Sequence, residues 1–276
     1  MFGVIAGMGA IFSAFYLAPL FVFSFDAPTI LTMISLLFTI FVGFFFAAAT
    51  SNYLRLQTLI STEDATLISL YNLSRQIDPQ KTKAVAQAID EYMIAVLDYP
   101  ILTYAPFVRR EMAAVVDAVD RITCTEAQDV AILQILQQTK ISLFSLNSEA
   151  AITTKRVVSP SHWVIIFLLA GSIIFLLFGL RDGGIVSSLL LASITTVILL
   201  ILRLLNDVDN NVFLGKQLAF KSPQTVFEFI GKRPYVPEVA FFLNPSLSLE
   251  TPYRVGVYKN PGKSYQKRIK IVQQKR

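Results

Sequence analysis

The sequence predicts an all-α membrane protein with four transmembrane helices, a cytoplasmic helical bundle and a small C-terminal β-hairpin. Three observations predict that class. Apolar residues make up 54% of the 276, and the mean hydropathy is +0.58, a composition suited to lipid rather than water. Four apolar stretches, residues 2–23, 30–50, 163–180 and 185–205, are long enough to cross a hydrocarbon layer about 30 Å thick. Basic residues are unevenly spread: ten Lys/Arg lie in residues 51–161 and thirteen in residues 202–276, while the turns joining the spans hold only Asp26 in one and Arg181 with Asp182 in the other. Because Lys and Arg accumulate on the cytoplasmic side, both termini and the long central segment are expected there.

The chain divides accordingly into a first transmembrane hairpin (1–50), a cytoplasmic bundle (51–161), a second hairpin (162–205) and a cytoplasmic C-terminal region (206–276). The first span has no basic n-region and a second span follows closely, which favours a retained helix over a cleaved signal peptide. Gly3 and Gly7 have the spacing of a close helix contact, though such pairs are common by chance. Pro28 and Thr29 suit the start of the second span, where a missing N–H costs nothing.

Residues 30–71 form the organising stretch. About twenty apolar residues are followed, from residue 51 on, by a run without proline or glycine, so the helix is expected to continue out of the membrane into water. Leu36, Ile40 and Phe44 are spaced four apart and share one helical face beside Gly43. Such a face can meet lipid or a neighbouring helix. It can also form a ring of apolar side chains around an oligomer axis, a constriction that gates by dewetting.

Past the membrane, Leu56, Ile60, Leu67, Leu70 and Ile77 keep near-helical spacing, interrupted by Glu63 and Asp64. Asp78-Pro79 ends that helix. A second helix over 79–97 is expected to bury Val85, Ala88, Ile89, Tyr92 and Val96. A proline-bracketed loop over 98–106, a third helix near 107–122 and a fourth from Thr125 to about Lys155 complete the bundle. Thr125 to Gln128 fits a capping box for the fourth. The central segment holds twelve acidic and ten basic residues without a basic stripe, so no nucleic-acid partner is expected.

Trp163 suits the aromatic belt where the chain re-enters lipid. His162, the single histidine, reads mainly as a hydrogen-bonded interfacial residue, with pH sensing as the alternative. Lone Cys124 rules out an intramolecular disulfide framework and a cysteine-based zinc cluster. Asp207 and Asp209, with Asn206 and Asn210, offer oxygen ligands to a hard cation. Capping, or pairing with basic residues, is the favoured role for them. In the tail, residues 251–258 and 265–272 alternate around a turn at 259–262, which reads as a β-hairpin with a strongly basic last strand. Thirteen basic against five acidic residues from 202 onward could meet anionic lipid or an acidic protein partner, or stand solvated.

Enzyme signatures are absent. Gly262-Lys263-Ser264 lacks the correctly spaced preceding glycine, and a strand pattern follows it rather than a helix, so no phosphate cradle forms. No zinc-protease motif, paired-cysteine motif or nucleophile elbow occurs, and carboxylates such as Asp90-Glu91 are expected on solvated faces. No enzymatic activity and no cofactor are expected.

The paired spans around a helical segment of about a hundred residues, Pro160 and Trp163 before the third span, and Leu205-Asn206-Asp207-Val208-Asp209-Asn210 followed by Phe213 and Gly215 resemble the bacterial bestrophin-like family over roughly residues 1–232. Asn211-Val212-Phe213 departs from the family's Pro-Phe at that point. The resemblance implies a multi-pass protein of the bacterial inner membrane and a homo-oligomeric channel, anions being the permeant species, with the second helix lining the pore. It places a neck at Leu36, Ile40 and Phe44, a hinge at Gly43, and Asp207 and Asp209 where bestrophins hold an acidic calcium-binding cluster. The rival reading is a non-conducting membrane scaffold that docks a partner through its bundle and basic tail.

Overall fold

A computed structural model describes residues 2–17, 23–99, 107–123, 129–210, 222–238, 240, 252–259 and 266–272. Its helices are α1 (Phe2–Leu17), α2 (Ala27–Ile77), α3 (Thr82–Asp98), α4 (Arg109–Asp120), α5 (Asp129–Thr153), α6 (Pro160–Gly179), α7 (Ile185–Asp209) and α8 (Ser222–Phe229). Three strands follow, β1 (Tyr235–Pro237), β2 (Tyr253–Lys259) and β3 (Gln266–Val272).

Helix α2 is the expected continuous rod, 51 residues long and so about 76 Å at 1.5 Å per residue. Asp26 caps its start, taking the Thr29 N–H at 3.4 Å and the Thr29 hydroxyl at 2.5 Å. Inside the apolar half, the Thr32 and Thr39 hydroxyls donate to carbonyls four residues back, at 3.0 and 2.8 Å. They thus enter a bilayer without exposed donors. Its end falls at Ile77, just before Asp78-Pro79. There the Asp78 carboxylate accepts the Gln80 and Lys81 N–H groups and starts the next turn. The Lys81 N–H, first among several causes, holds that carboxyl below its ordinary value.

Three helices, α2, α6 and α7, are long and apolar enough to cross a membrane. Helix α1 has 16 residues, and the rest of the expected first span lies mostly outside the described residues. The third and fourth spans are longer than expected, at Pro160–Gly179 and Ile185–Asp209. Ser159 and Pro160 explain the early start of α6, since serine caps the helix and proline fits its first position.

The contacts divide the chain into two compact units, Met1–Asn52 with Arg156–Asn210, and Tyr53–Lys155 with Asn211–Arg276. In the first, Phe15, Phe38, Val42, Phe45 and Ala49 pack with Val158, Ile166, Ala170, Ile173 and Leu177, and with Ala192, Ile198, Leu202 and Leu205. Helix α1 lies along α7, whose buried Ser188, Ala192 and Thr195 are small enough to admit a close neighbour.

The core of the second unit gathers Leu59, Leu67 and Leu70 of α2 with Val85, Ile89, Tyr92 and Met93 of α3, Val115 of α4 and Leu136 and Leu143 of α5. Glu63 and Asp64, expected as an interruption of the apolar face, are buried in it at 6% exposure each. The Tyr92 hydroxyl donates to Glu63 and accepts from Asn147 Nδ2 at 3.3 Å, which supplies partners to a carboxylate removed from water. Cys124 and the Thr125–Gln128 capping box lie outside the described residues, as do residues 100–106 of the proline-bracketed loop.

The C-terminal hairpin forms with β2 and β3 antiparallel, Tyr253 opposite Val272 and Lys259 opposite Gln266; its turn lies outside the described residues. A third strand was not expected: β1 pairs parallel to β2, Tyr235 opposite Arg254. A Cβ at Gly256 would collide with the Tyr235 hydroxyl, so any larger residue there would have to displace that buried ring. This sheet is anchored. Arg254 makes two bonds to Asp90, at 2.6 and 2.8 Å, and lies 5.1 Å over the Phe227 ring. Tyr235 donates to Asp98 at 2.6 Å. The expected solvated face for Asp90 is therefore corrected: it is 3% exposed, because an arginine 164 residues away covers it.

Candidate functional site

Within the first unit, α2 has two unlike faces. Phe38, Val42, Phe45 and Ala49 point into the core, none more than 7% exposed. Leu36, Ile40 and Phe44 are 63%, 58% and 67% exposed, and Met33 and Leu37 broaden the same open surface. The spacing that suggested a shared face is thus realised on one unbroken helix. Gly43 continues that helix, with nothing within 4 Å of the place a Cβ would take.

Aromatic rings tie the open face to the core. Phe44 meets Phe45 edge-to-face at 5.3 Å, and Phe45 stacks on the His162 imidazole at 4.7 Å with 38° between the planes. The His162 Nδ1 lies 2.9 Å from the Ser159 hydroxyl, which accepts the His162 N–H at 3.5 Å and lies 2.8 Å from Ser161 Oγ. Sequence reasoning placed a hydrogen-bonded histidine here but missed its ring partner, which comes from a different span.

At the far end of α7 the acidic pair is split. Asp207 faces Arg203 at 3.9 Å on the helix surface. Asp209 is 4% exposed, and its Oδ1 accepts the Val157 and Val158 N–H groups at 2.9 and 3.0 Å. Residues two apart on a helix do not face each other, and a calcium ion takes six to eight oxygens. No group of three or more metal-ligating side chains occurs among the described residues. As described, Asp207 makes an ion pair and Asp209 accepts two N–H groups from the loop before α6.

At the opposite end, Arg181 is 6% exposed, donates to the Phe15 carbonyl and lies 4.4 Å over the Phe178 ring. In the same turn the Gly184 N–H, donating at 2.8 Å, holds the Asp182 carboxyl below its ordinary value. Arg181 was read as one of the few charges of an outer turn; its docking on an α1 carbonyl was not legible locally.

Apolar helices that carry one open face, and one of which runs on into a helical bundle, define a helical membrane protein. The Bestrophin-like domain model matches residues 27–216. The chain belongs to the Bestrophin-like family. Among solved structures it is similar to a bacterial bestrophin homologue from Klebsiella pneumoniae, at 12% identity and a TM-score of 0.60, covering 83% of this chain and 95% of that one. Two further variant structures, each described as a membrane protein, match at 13% identity. Their TM-scores are 0.60 and 0.62, with 84% and 85% of this chain covered and 97% and 99% of theirs. At such identities the likeness shows the fold alone. No curated protein matches the chain.

Proposed function

We propose that this chain assembles as a homo-oligomer in the bacterial inner membrane and forms a passive channel, with anions as the permeant species. Four spans, both termini on the cytoplasmic side and α2 along the axis complete the reading. Leu36, Ile40 and Phe44 would form an apolar neck that water and ions cross only when it widens.

The observation that carries it is the exposure of these three side chains beside a buried opposite face on the same helix. Membership of the Bestrophin-like family supports the channel reading, and the charge distribution supports the topology. The test is chloride flux in reconstituted vesicles. Phe44→Ala and Ile40→Ala should each raise flux severalfold over the wild type. Flux that is absent from wild type and both variants contradicts the channel.

The scaffold reading is favoured by one feature, the outer strand β3, where Ile269 and Ile271 are 45% and 56% exposed beside Lys270. A sheet edge of this kind can take a partner strand or anionic lipid.

A further inference from the structure

The geometry points to His162 as a positioning residue of the neck, holding Phe44 through Phe45 and making the width of the passage depend on cytoplasmic pH. This rests on the channel reading and adds a regulator to the same site.

The chain of contacts is short. The imidazole stacks on Phe45 at 4.7 Å, and Phe45, 6% exposed, meets Phe44 edge-to-face at 5.3 Å. Phe41 lies 6.3 Å from Phe45 as well. Phe45 therefore has little room to move independently, and a shift of the imidazole reaches a side chain that is 67% exposed on the open face. The ring is itself held by the Ser159 hydroxyl at 2.9 Å, and Ser159 caps α6.

Imidazole is the side chain suited to change charge between about pH 5 and 8. A proton turns the ring into a cation beside the Phe45 ring, 4.7 Å away and tilted by 38°, an attractive arrangement, and makes Nδ1 a donor to Ser159 Oγ. The first draws Phe45 to the imidazole, and the second fixes the imidazole on the start of α6. A more tightly held Phe45 keeps Phe44 in its narrow arrangement, so acid should lower flux.

Few other charges of this unit are near in the fold. Residues 27–52 of α2, and α6 beyond His162, carry no ionisable side chain. Helix α1 contributes only Tyr16. The approach to α6 carries Arg156, and α7 carries Arg203, Asp207 and Asp209. Arg203 faces Asp207, and Asp209 is capped by the Val157 and Val158 N–H groups. The next ionisable groups along α2 are Tyr53 and Arg55, and Arg55 pairs with Glu149.

The experiment measures chloride flux of the reconstituted full chain as pH falls from about 8 to about 5. Wild type should lose about threefold, the scale of a single ring–cation contact. His162→Gln and Phe45→Leu should conduct without that pH response. A pH-independent wild type, or an unchanged response in His162→Gln, overturns the inference. A second measurement separates this from failure of the channel reading. With one histidine in the chain, the imidazole gives one set of ring magnetic-resonance signals, and Phe45→Leu should remove their ring-current shift. Loss of that shift without any flux contradicts the channel while supporting the contact; a shift unmoved by Phe45→Leu overturns the inference whatever the flux.

Discussion

Arg254 shows how one side chain can hold a segment that composition alone would leave in solvent. Its side chain is 14% exposed and that of Asp90 5%, so both charges have left most of their water behind. The two bonds to Asp90, with the Arg233 carbonyl accepting a third at 3.0 Å, offset that loss. Arg254→Ala strands a buried carboxylate and should cost about 3–5 kcal/mol. The measurement is denaturant unfolding together with proteolysis of the region after residue 231. Pairing Arg254→Met with Asp90→Leu should recover most of the loss, because apolar side chains leave no charge uncompensated. A tail that resists protease equally in Arg254→Ala would contradict the assigned anchor. His162 belongs to the same scale: its significance lies in the ring it touches, and the sequence shows the residue type but not that partner.

Helix α2 is where reading from sequence succeeded best, and the reason is local. A run of apolar residues without proline, followed by a run of near-helical spacing, needs no distant information to be read as one rod. Its face could be recognised from Leu36, Ile40 and Phe44, but what that face meets depends on neighbours that spacing does not encode. Other elements failed for the opposite reason. Strand β1 has three residues and ends in Pro237, too short for alternation to show, and it exists because β2 arrives beside it. Burial of Glu63 and Asp90 likewise needs Tyr92 and Arg254, which come from other elements. At this scale Gly43 makes a clear prediction. Nothing would clash with an added methyl, so Gly43→Ala should stabilise α2 by about 0.5–1 kcal/mol through helix propensity. If Gly43 is also the hinge of the pore helix, the same variant should melt higher and conduct less. Unchanged flux in the stabilised variant would retire the hinge.

In the whole molecule a charge distribution is joined to an open surface. The charge distribution supports the proposed cytoplasmic placement of both ends. Helices α2, α6 and α7 are long and apolar enough to span, and α2 carries the chain onward into the bundle. Lipid can cover the face of Leu36, Ile40 and Phe44, but so can the same face of further copies arranged around an axis. The second arrangement is the one that makes a channel. Electron cryo-microscopy of the full chain in lipid discs tests it most directly. The account predicts a closed ring of copies with Leu36, Ile40 and Phe44 narrowing a central passage. A single copy, or a ring whose Leu36, Ile40 and Phe44 face lipid, would contradict it.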